Sequence, residues 1–168
     1  SAVWVSTFHS ACVRILRRYI DRIGYGTNFT IYDAEDQKTV MRDVCKRLNI
    51  DTKLMKEKMI LGQISSAKDE LIDPDEMELR AEGDFNRKKI ALAYREYQNQ
   101  LKRSNALDFD DLIMKTVELF WRAPDVLESY QERFRYIMVD EYQDTNTAQF
   151  KLVSLLAGKY RNLCVVGD

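Results

Sequence analysis

The feature that most constrains the fold is the alternation of short apolar segments with helical ones at both ends of the chain. Residues 2–8, AVWVSTF, are rich in β-branched and aromatic side chains and precede apolar residues at helical spacing that end at Gly24. Near the other end, the apolar segments YIMVDE (136–141) and NLCVVGD (162–168) enclose TAQFKLVSLLAGK (147–159), which has a helical pattern. Short strands that alternate with helices predict parallel βαβ units with helices covering the sheet. We therefore predict α/β structure at both ends of the chain.

The middle of the chain has a different character, because residues 33–103 show hardly any strand pattern. Their apolar residues recur at helical spacing, and Ile90, Tyr94, Tyr97 and Leu101 mark one face of the last helix in this region. The predicted helices span residues 34–48, 54–71, 74–81 and 85–104, and two more begin at Asp108 and Pro124. We therefore predict an all-helical insert between the two α/β ends, and a chain that is predominantly α-helical overall.

Charge is distributed unevenly along the chain. Lys and Arg number 26 against 27 Asp and Glu, so the net charge of −1 excludes a polycation that binds nucleic acid by bulk charge. Yet residues 84–104 hold an excess of basic side chains, and residues 105–144 hold an excess of acidic ones. Any contact with nucleic acid must therefore be local, and the basic helix at 85–104 is one candidate for a duplex DNA surface. The alternative is a helix whose tyrosines are core and whose lysines keep it in solution.

The cysteines and the hydropathy pattern indicate the cellular compartment of the protein. Cys12, Cys45 and Cys164 are odd in number and widely spaced, which predicts neither a disulfide framework nor a C-x-x-C metal site. No apolar run approaches the length of a membrane span, and the first residues lack the order of a signal peptide. We expect a cytoplasmic protein without a membrane partner.

Three carboxylates follow the apolar segment YIMV, namely Asp140, Glu141 and Asp144. In parallel sheets ligands bind beyond the carboxyl ends of the strands, so these residues stand where function is expected. A carboxylate at such a position can hold a hydrated Mg²⁺ shared with nucleotide phosphates, and its neighbour can orient or deprotonate an attacking water. Gln143 suits a sensor of the nucleotide state better than a base. The alternative is that Asp140 and Asp144 cap the following turn and helix, with Glu141 in solvent.

A wider pattern gives this acidic segment a context. The residues VDEYQDTN (139–146) resemble the Walker B element of the UvrD/PcrA/Rep-type superfamily 1A DNA helicases, and STFHSACVRILRRYIDRIG, ILGQISSAKDEL, ALDFDDLIMKT and VVGD resemble further segments of that family, in the same order. The resemblance implies a RecA-like, P-loop NTPase motor domain called 1A, which carries a helical subdomain called 1B. Residues 1–24 and 106–168 would then be parts of 1A, and residues 25–105 would be 1B.

The resemblance also implies roles for single residues. Asp140 would bind Mg²⁺, Glu141 would be the catalytic base for ATP hydrolysis, and Gln143 with Asp144 would couple the nucleotide to neighbouring motifs. Thr7 and His9, within TFHS, match residues that contact the backbone of single-stranded DNA in the family. A hydroxyl and an imidazole can both donate to phosphate oxygens, a contact that positions DNA without reading its sequence. The alternative for His9, the only histidine, is a buried structural residue.

A helicase also needs a loop of the form G-x-x-x-x-G-K-[ST] to hold the phosphates, and these 168 residues contain none. We therefore expect this chain to be a piece of a longer parent that uses ATP and Mg²⁺, binds single-stranded and duplex DNA, and acts in repair or plasmid replication. Its protein partners would be repair or replication-initiator proteins, and the piece alone should not hydrolyse ATP. Two other hypotheses stay open: a non-catalytic helical module that binds DNA or protein, and the motor segment of a helicase-nuclease.

The segment ALDFDDLI (106–113) also concentrates carboxylates, and here the residues favour a structural role. Asp108 fits the N-cap of the following helix, and Asp110 with Asp111 would lie in its first turn, where the helix dipole favours acids. We therefore predict no metal site in this segment.

Overall fold

The computed structural model of the chain describes residues 2–133, 137–140, 146–158 and 163–166, with the backbone alone for residues 2–7, 137–140 and 163–166. Most of the described residues are helical. In chain order the elements are α1 (Ala2–Tyr19), a 3₁₀ helix (Ile20–Ile23), β1 (Thr30–Tyr32), α2 (Ala34–Arg47), α3 (Glu57–Asp69), α4 (Pro74–Arg80), α5 (Phe85–Arg103), β2 (Ala106–Asp108), α6 (Asp111–Arg122), α7 (Pro124–Arg133), β3 (Ile137–Asp140), α8 (Thr147–Ala157) and β4 (Leu163–Val166).

The chain divides into two compact units. The two-segment unit consists of Ser1–Asn28 together with Asp111–Asp168, and the helical unit is the continuous stretch Phe29–Asp110. Among the described residues, no helix is both long and apolar enough to cross a lipid bilayer.

In the two-segment unit, α1 packs against α6. Phe8, Cys12, Ile15 and Leu16 form the buried face of α1, at the spacing that places side chains on one side of a helix. Burial raises the pKa of the Cys12 thiol to about 12, with a smaller opposing effect from a hydrogen bond to Thr116, so this cysteine stays a neutral core residue. The chain then turns at Gly24, whose φ of 93° lies in the left-handed region that favours glycine.

The prediction of a strand at residues 2–8 is wrong, because α1 begins at Ala2. β-Branched and aromatic residues are common in strands, but a strand also needs a neighbour to receive its backbone hydrogen bonds. The two described sheets pair β1 with β2 and β3 with β4, and neither includes this segment. A helix satisfies its backbone hydrogen bonds within itself and needs no such neighbour.

The carboxyl-terminal part of the two-segment unit confirms the predicted alternation. β3 and β4 pair in parallel, and α8 lies between them in sequence. This is a strand, helix, strand unit with the two strands side by side, as the apolar segments at 136–141 and 162–168 predicted. Asn146 caps α8, since its side-chain oxygen accepts a hydrogen bond from the backbone N–H of Gln149 at 2.8 Å.

The helical unit is built around the apolar faces of α2, α3 and α5. The predicted face of α5 is confirmed, because Tyr94, Tyr97 and Leu101 are almost completely buried and Ile90 packs at the edge of the core. The most buried members of this core from α2 and α3 are Met41, Val44, Cys45, Ile60 and Ile64.

Two helices of this unit end in the same way. Asn49 after α2 and Leu71 after α3 both have positive φ, at 55° and 59°. The next residue then donates back into the helix, from Ile50 N to the oxygen of Cys45 at 2.9 Å and from Ile72 N to the oxygen of Ala67 at 2.8 Å. This is the Schellman arrangement, and in both cases it buries the isoleucine that follows the left-handed residue.

The prediction of an all-helical insert is not fully met, because the helical unit also contains two short strands. β1 and β2 flank the helices and pair in parallel, with Thr30 opposite Ala106 and Tyr32 opposite Asp108. Asp108 is therefore the last residue of β2 and not the N-cap of α6, which begins at Asp111. Each strand has three residues, too few for an alternating pattern to stand out in the sequence.

Candidate functional site

The carboxyl end of β3 carries the first of the predicted site residues. Asp140 is the last residue of β3 and lies opposite Val166, the last residue of β4. The two strands are parallel, so the chain leaves both at the same edge of the sheet. A residue at this edge is well placed for a ligand that binds beyond the strand ends.

The other residues predicted for this site, Glu141, Gln143 and Asp144, lie outside the described residues. The alternative role of Asp144, as the cap of the following helix, is filled by Asn146. The carboxylates of the segment are therefore not needed to begin α8.

The two predicted DNA-binding residues lie in α1. Only the backbone of Thr7 is described, and it is helical. His9 is 7% exposed, and its ring meets that of Phe8 edge-on, with 6.4 Å between the ring centroids. Contact with DNA stays a prediction for both residues, and any such contact by His9 would use the small part of its surface that is exposed.

The acidic segment after β2 forms a buried network within the helical unit. Asp108 is 3% exposed, and its Oδ2 lies 2.7 Å from Nζ of Lys68 and accepts a hydrogen bond from the hydroxyl of Tyr97 at 2.9 Å. The ammonium of Lys68 also lies over the Tyr97 ring, 5.2 Å from its centroid. This carboxylate is therefore committed to holding α3 and α5 against β2.

The next carboxylates differ in their surroundings. Asp110 is half-buried, and the hydroxyl of Ser65 donates to its Oδ2 at 2.7 Å. Burial raises the pKa of Asp110, partly offset by the Ser65 hydrogen bond. Asp111, the first residue of α6, is buried. Within the described residues, no group of three His, Cys, Asp or Glu side chains is arranged to hold a metal ion.

Sequence reasoning missed Lys68, although its position carried a signal. The buried face of α3 consists of Ile60, Ile64, Ala67 and Lys68, which follow helical spacing. A lysine within an apolar face implies a buried counter-charge, since an isolated buried ammonium is costly. The sequence alone did not show which of the many carboxylates supplies it.

The basic side chains of α5 have two kinds of surroundings, ion pairs with α4 and an open cleft at the end of the helix. Arg95 pairs with Asp75 at 2.5 Å and with Glu78 at 3.1 Å, both on α4. At the end of α5, Arg103 instead lines an open cleft of about 460 Å³. The other residues lining this cleft are Asp43, Lys46, Arg47, Gln100 and Ser104. Three cations against one carboxylate make the cleft a basic surface that suits a phosphate backbone.

Comparison with known sequences places these features in a family. The sequence model of the family described as "UvrD/REP helicase N-terminal domain" matches residues 1–168. The chain belongs to this family. The parallel β3 and β4 and the long helical unit are thus features of a UvrD/REP helicase N-terminal domain.

Individual relatives agree with the family assignment. The chain is 57% identical over 166 residues to the ATP-dependent DNA helicase PcrA of Staphylococcus epidermidis, and equally to the ATP-dependent DNA helicase PcrA of Staphylococcus aureus. Each alignment covers 99% of this chain and 23% of the relative. The chain thus spans about a quarter of the length of these helicases.

Proposed function

We propose that this chain is part of the motor domain 1A, with its helical subdomain 1B, of an ATP-dependent DNA helicase that moves 3′ to 5′ on single-stranded DNA. The observation that carries the proposal is Asp140, the last residue of a strand in a parallel pair, in a member of the UvrD/REP family. The longer protein would act in DNA repair or plasmid replication, with proteins of those processes as partners. The 168 residues contain no G-x-x-x-x-G-K-[ST] loop, so hydrolysis is assigned to the longer protein.

The chemistry of the carboxylates supports a division of roles. Asp140 would hold Mg²⁺, which prefers oxygen ligands and, when bound, neutralises charge on the nucleotide phosphates. Glu141 is the next residue in the sequence and would have a different role in the site. It would accept the proton of the attacking water, while Gln143 and Asp144 would couple the nucleotide to neighbouring motifs.

The decisive experiment measures DNA-stimulated ATP hydrolysis by the full-length protein and by its Glu141→Gln variant. General-base catalysis contributes about 10²- to 10⁴-fold, so kcat should fall by at least about 10²-fold while nucleotide affinity stays nearly unchanged. The Glu35→Gln variant is the matched control, since Glu35 is an exposed residue of α2. Unchanged turnover in the Glu141 variant would refute its assignment as the base.

DNA binding by the helical unit is a second function that a specific observation favours, namely the basic cleft that Lys46, Arg47 and Arg103 line. Fluorescent duplex and single-stranded DNA should bind the 168-residue chain at low salt and dissociate as salt rises, because phosphate contacts release counterions. Arg103→Glu should weaken this binding, and Arg133→Glu, outside the cleft, should not. Absence of binding at low salt would leave the helical unit as a spacer or protein-interaction element.

A further inference from the structure

Three arginines of the two-segment unit surround one buried tyrosine. Arg14 and Arg18 are exposed and lie one turn apart on α1, and Arg133 is the last residue of α7. Tyr130 of α7 is 6% exposed, and burial raises the pKa of its hydroxyl. The charges of Arg133, Arg18 and Arg14 act in the opposite direction, so all three guanidinium groups lie near this hydroxyl. We call these three residues the arginine cluster.

Aromatic contacts order two members of the arginine cluster. The rings of Tyr19 and Tyr130 meet edge-on, with 6.1 Å between their centroids. The guanidinium carbon of Arg18 lies 5.5 Å from the centroid of the Tyr19 ring, and that of Arg133 lies 5.5 Å from the centroid of the Tyr130 ring. A cation–π contact of this kind uses no N–H group as a hydrogen-bond donor. The cluster is thus partly ordered before a ligand arrives, which lowers the entropic cost of binding.

The arginine cluster has no counter-charge in the part of the chain that the structure describes. Other arginines of the same unit have one, since Arg22 pairs with Asp125 at 2.6 Å and Arg122 pairs with Glu118 at 3.2 Å. Within the described residues, none of the three members of the cluster forms an ion pair. Like charges that are held close together repel one another, so a ligand of opposite charge would be attracted to this surface.

The acids of α7 face away from the cluster. Glu128 and Glu132 lie two positions before and after Tyr130, and residues two apart on a helix do not face each other. Arg133 is three positions after Tyr130, a spacing that places both on one side of the helix. The charge near the Tyr130 hydroxyl is therefore positive.

We propose that the arginine cluster binds an acidic segment of a partner protein, whose carboxylates accept hydrogen bonds from the three guanidinium groups. A guanidinium has five N–H donors and binds a carboxylate through two parallel hydrogen bonds. This inference goes beyond the proposed function, since neither the role in ATP hydrolysis nor the DNA contact of the basic cleft uses these residues.

Protein carboxylates fit the cluster better than a nucleic-acid backbone does. Single strands bind through aromatic rings along a basic groove, but here Tyr130 is buried and Tyr19 is half-buried. The three cations meet around one side chain and do not form a track. The basic cleft of the helical unit suits carboxylates less well, because Asp43 is among its lining residues and would repel them.

The test uses the whole 168-residue chain and a dye-labelled peptide of sequence Glu-Glu-Asp-Glu-Glu-Asp-Glu, followed by anisotropy. Saturable binding with a Kd of about 100 µM is expected at low salt. The affinity should fall as salt rises, because exposed charges are screened. In the control peptide, Gln and Asn replace Glu and Asp, and its binding should be at least about 10-fold weaker because it has no charge to pair.

Variants of the protein locate the site. Arg14→Glu, Arg18→Glu and Arg133→Glu should each weaken peptide binding by at least about 5-fold, because each replaces an attraction by a repulsion. Arg122→Glu is the matched control, since it makes the same charge change at an exposed arginine of the same unit. Circular dichroism verifies that the variants fold. Arg14→Glu leaves both arginine–tyrosine ring contacts in place, so it tests the site even if the other two variants unfold.

Four results would overturn the proposal. Two are the absence of saturation up to about 1 mM peptide and an equal loss of affinity in the Arg122 control. The third is an equal loss in an Arg103→Glu variant, which would assign the peptide to the basic cleft. The fourth is a loss of DNA affinity in the Arg133 variant as large as its loss of peptide affinity, which would make the cluster a nucleic-acid site. All four are independent of the Glu141 experiment.

Discussion

Two acidic segments of this chain follow short strands, and we assign their first carboxylates different roles. Asp108 ends β2, which pairs in parallel with β1, and Asp140 ends β3, which pairs in parallel with β4. Asp108 is buried and joined to Lys68 and Tyr97. Asp140 stands where the chain leaves its sheet, in a family of helicases. A carboxylate at a strand end thus has no fixed role, and the buried counter-charge of Lys68 identifies Asp108 as a structural acid.

The largest expected effect comes from removing the structural acid. Asp108→Ala takes away the carboxylate that pairs with the fully buried ammonium of Lys68, and breaking such a pair costs about 3–5 kcal/mol. Urea unfolding of the 168-residue chain measures the change. The Lys68→Met/Asp108→Leu double variant is the control, since replacing both charges by apolar groups should cost much less than the single change. A double variant that is as unstable as the single one would contradict this account.

A smaller loss of stability is expected when a buried tyrosine loses its hydrogen bond, and the loss should be greater for a charged acceptor than for a neutral one. Tyr97→Phe removes a hydrogen bond to the Asp108 carboxylate and should lower the free energy of unfolding by about 1.5–3 kcal/mol. Tyr94→Phe removes a bond to the carbonyl oxygen of Ile72 and should cost about 1 kcal/mol. Both tyrosines lie on α5 and are fully buried, so the comparison is matched. Equal losses would mean that the charge of Asp108 contributes nothing to this bond.

Asp140, the candidate magnesium ligand, should behave in the opposite way. If Asp140 serves metal binding and not stability, Asp140→Asn should change the free energy of unfolding of this chain by less than about 1 kcal/mol, or raise it. The same variant in the full-length protein should lose ATP hydrolysis. A destabilisation as large as that of the Asp108 variant would make Asp140 a structural residue as well, and the contrast between the two segments would disappear.

The smallest effect concerns pH. The folded-state pKa of Asp110 is raised mainly by burial, so its stabilising contribution is complete below the ordinary pKa of about 3.9 and is lost as the pH rises through the raised value. Asp110→Asn should therefore gain stability relative to the original chain as the pH rises from acidic to neutral.

Asp125 provides a control of opposite sign. The hydrogen bond from Arg22 lowers the pKa of Asp125, so its stabilising contribution is present above the ordinary pKa and is lost as the pH falls through the lowered value. Asp125→Asn should lose stability relative to the original chain over the same rise in pH. Urea unfolding at several pH values measures both variants, and shifts of the same sign would contradict the two assignments.

The sequence predicted best those elements whose pattern is local. The helix predicted at 85–104 is confirmed as α5. Tyr94, Tyr97 and Leu101 recur at helical spacing, which indicates the buried side of the helix. Pro74 and Pro124 begin α4 and α7 as predicted, since proline favours the first turn of a helix. The parallel pairing of β3 with β4 also followed from the order of strand, helix and strand.

Features that depend on distant residues were predicted less well. Asp108 has the local signature of a helix cap, and the partner that decides its role, Lys68, is 40 residues away in sequence. β1 and β2 have three residues each and exist only through their pairing. Residues 2–8 have the composition of a strand, but their backbone belongs to α1, and composition alone does not exclude a helix. Glu141, Gln143 and Asp144 rest on the family resemblance and on position.

The division of the chain into a continuous unit and a two-segment unit has a consequence for its synthesis. The helical unit, Phe29–Asp110, is contiguous and can fold as soon as it leaves the ribosome. α1 emerges earlier, but its helix partner α6 begins only at Asp111. At about 5–20 residues per second, the stretch from the end of α1 at Tyr19 to Asp111 takes roughly 5–18 s to synthesise. During this time the apolar face of Phe8, Cys12 and Leu16 lacks α6, so this face of α1 waits for its partner helix while the helical unit can already fold.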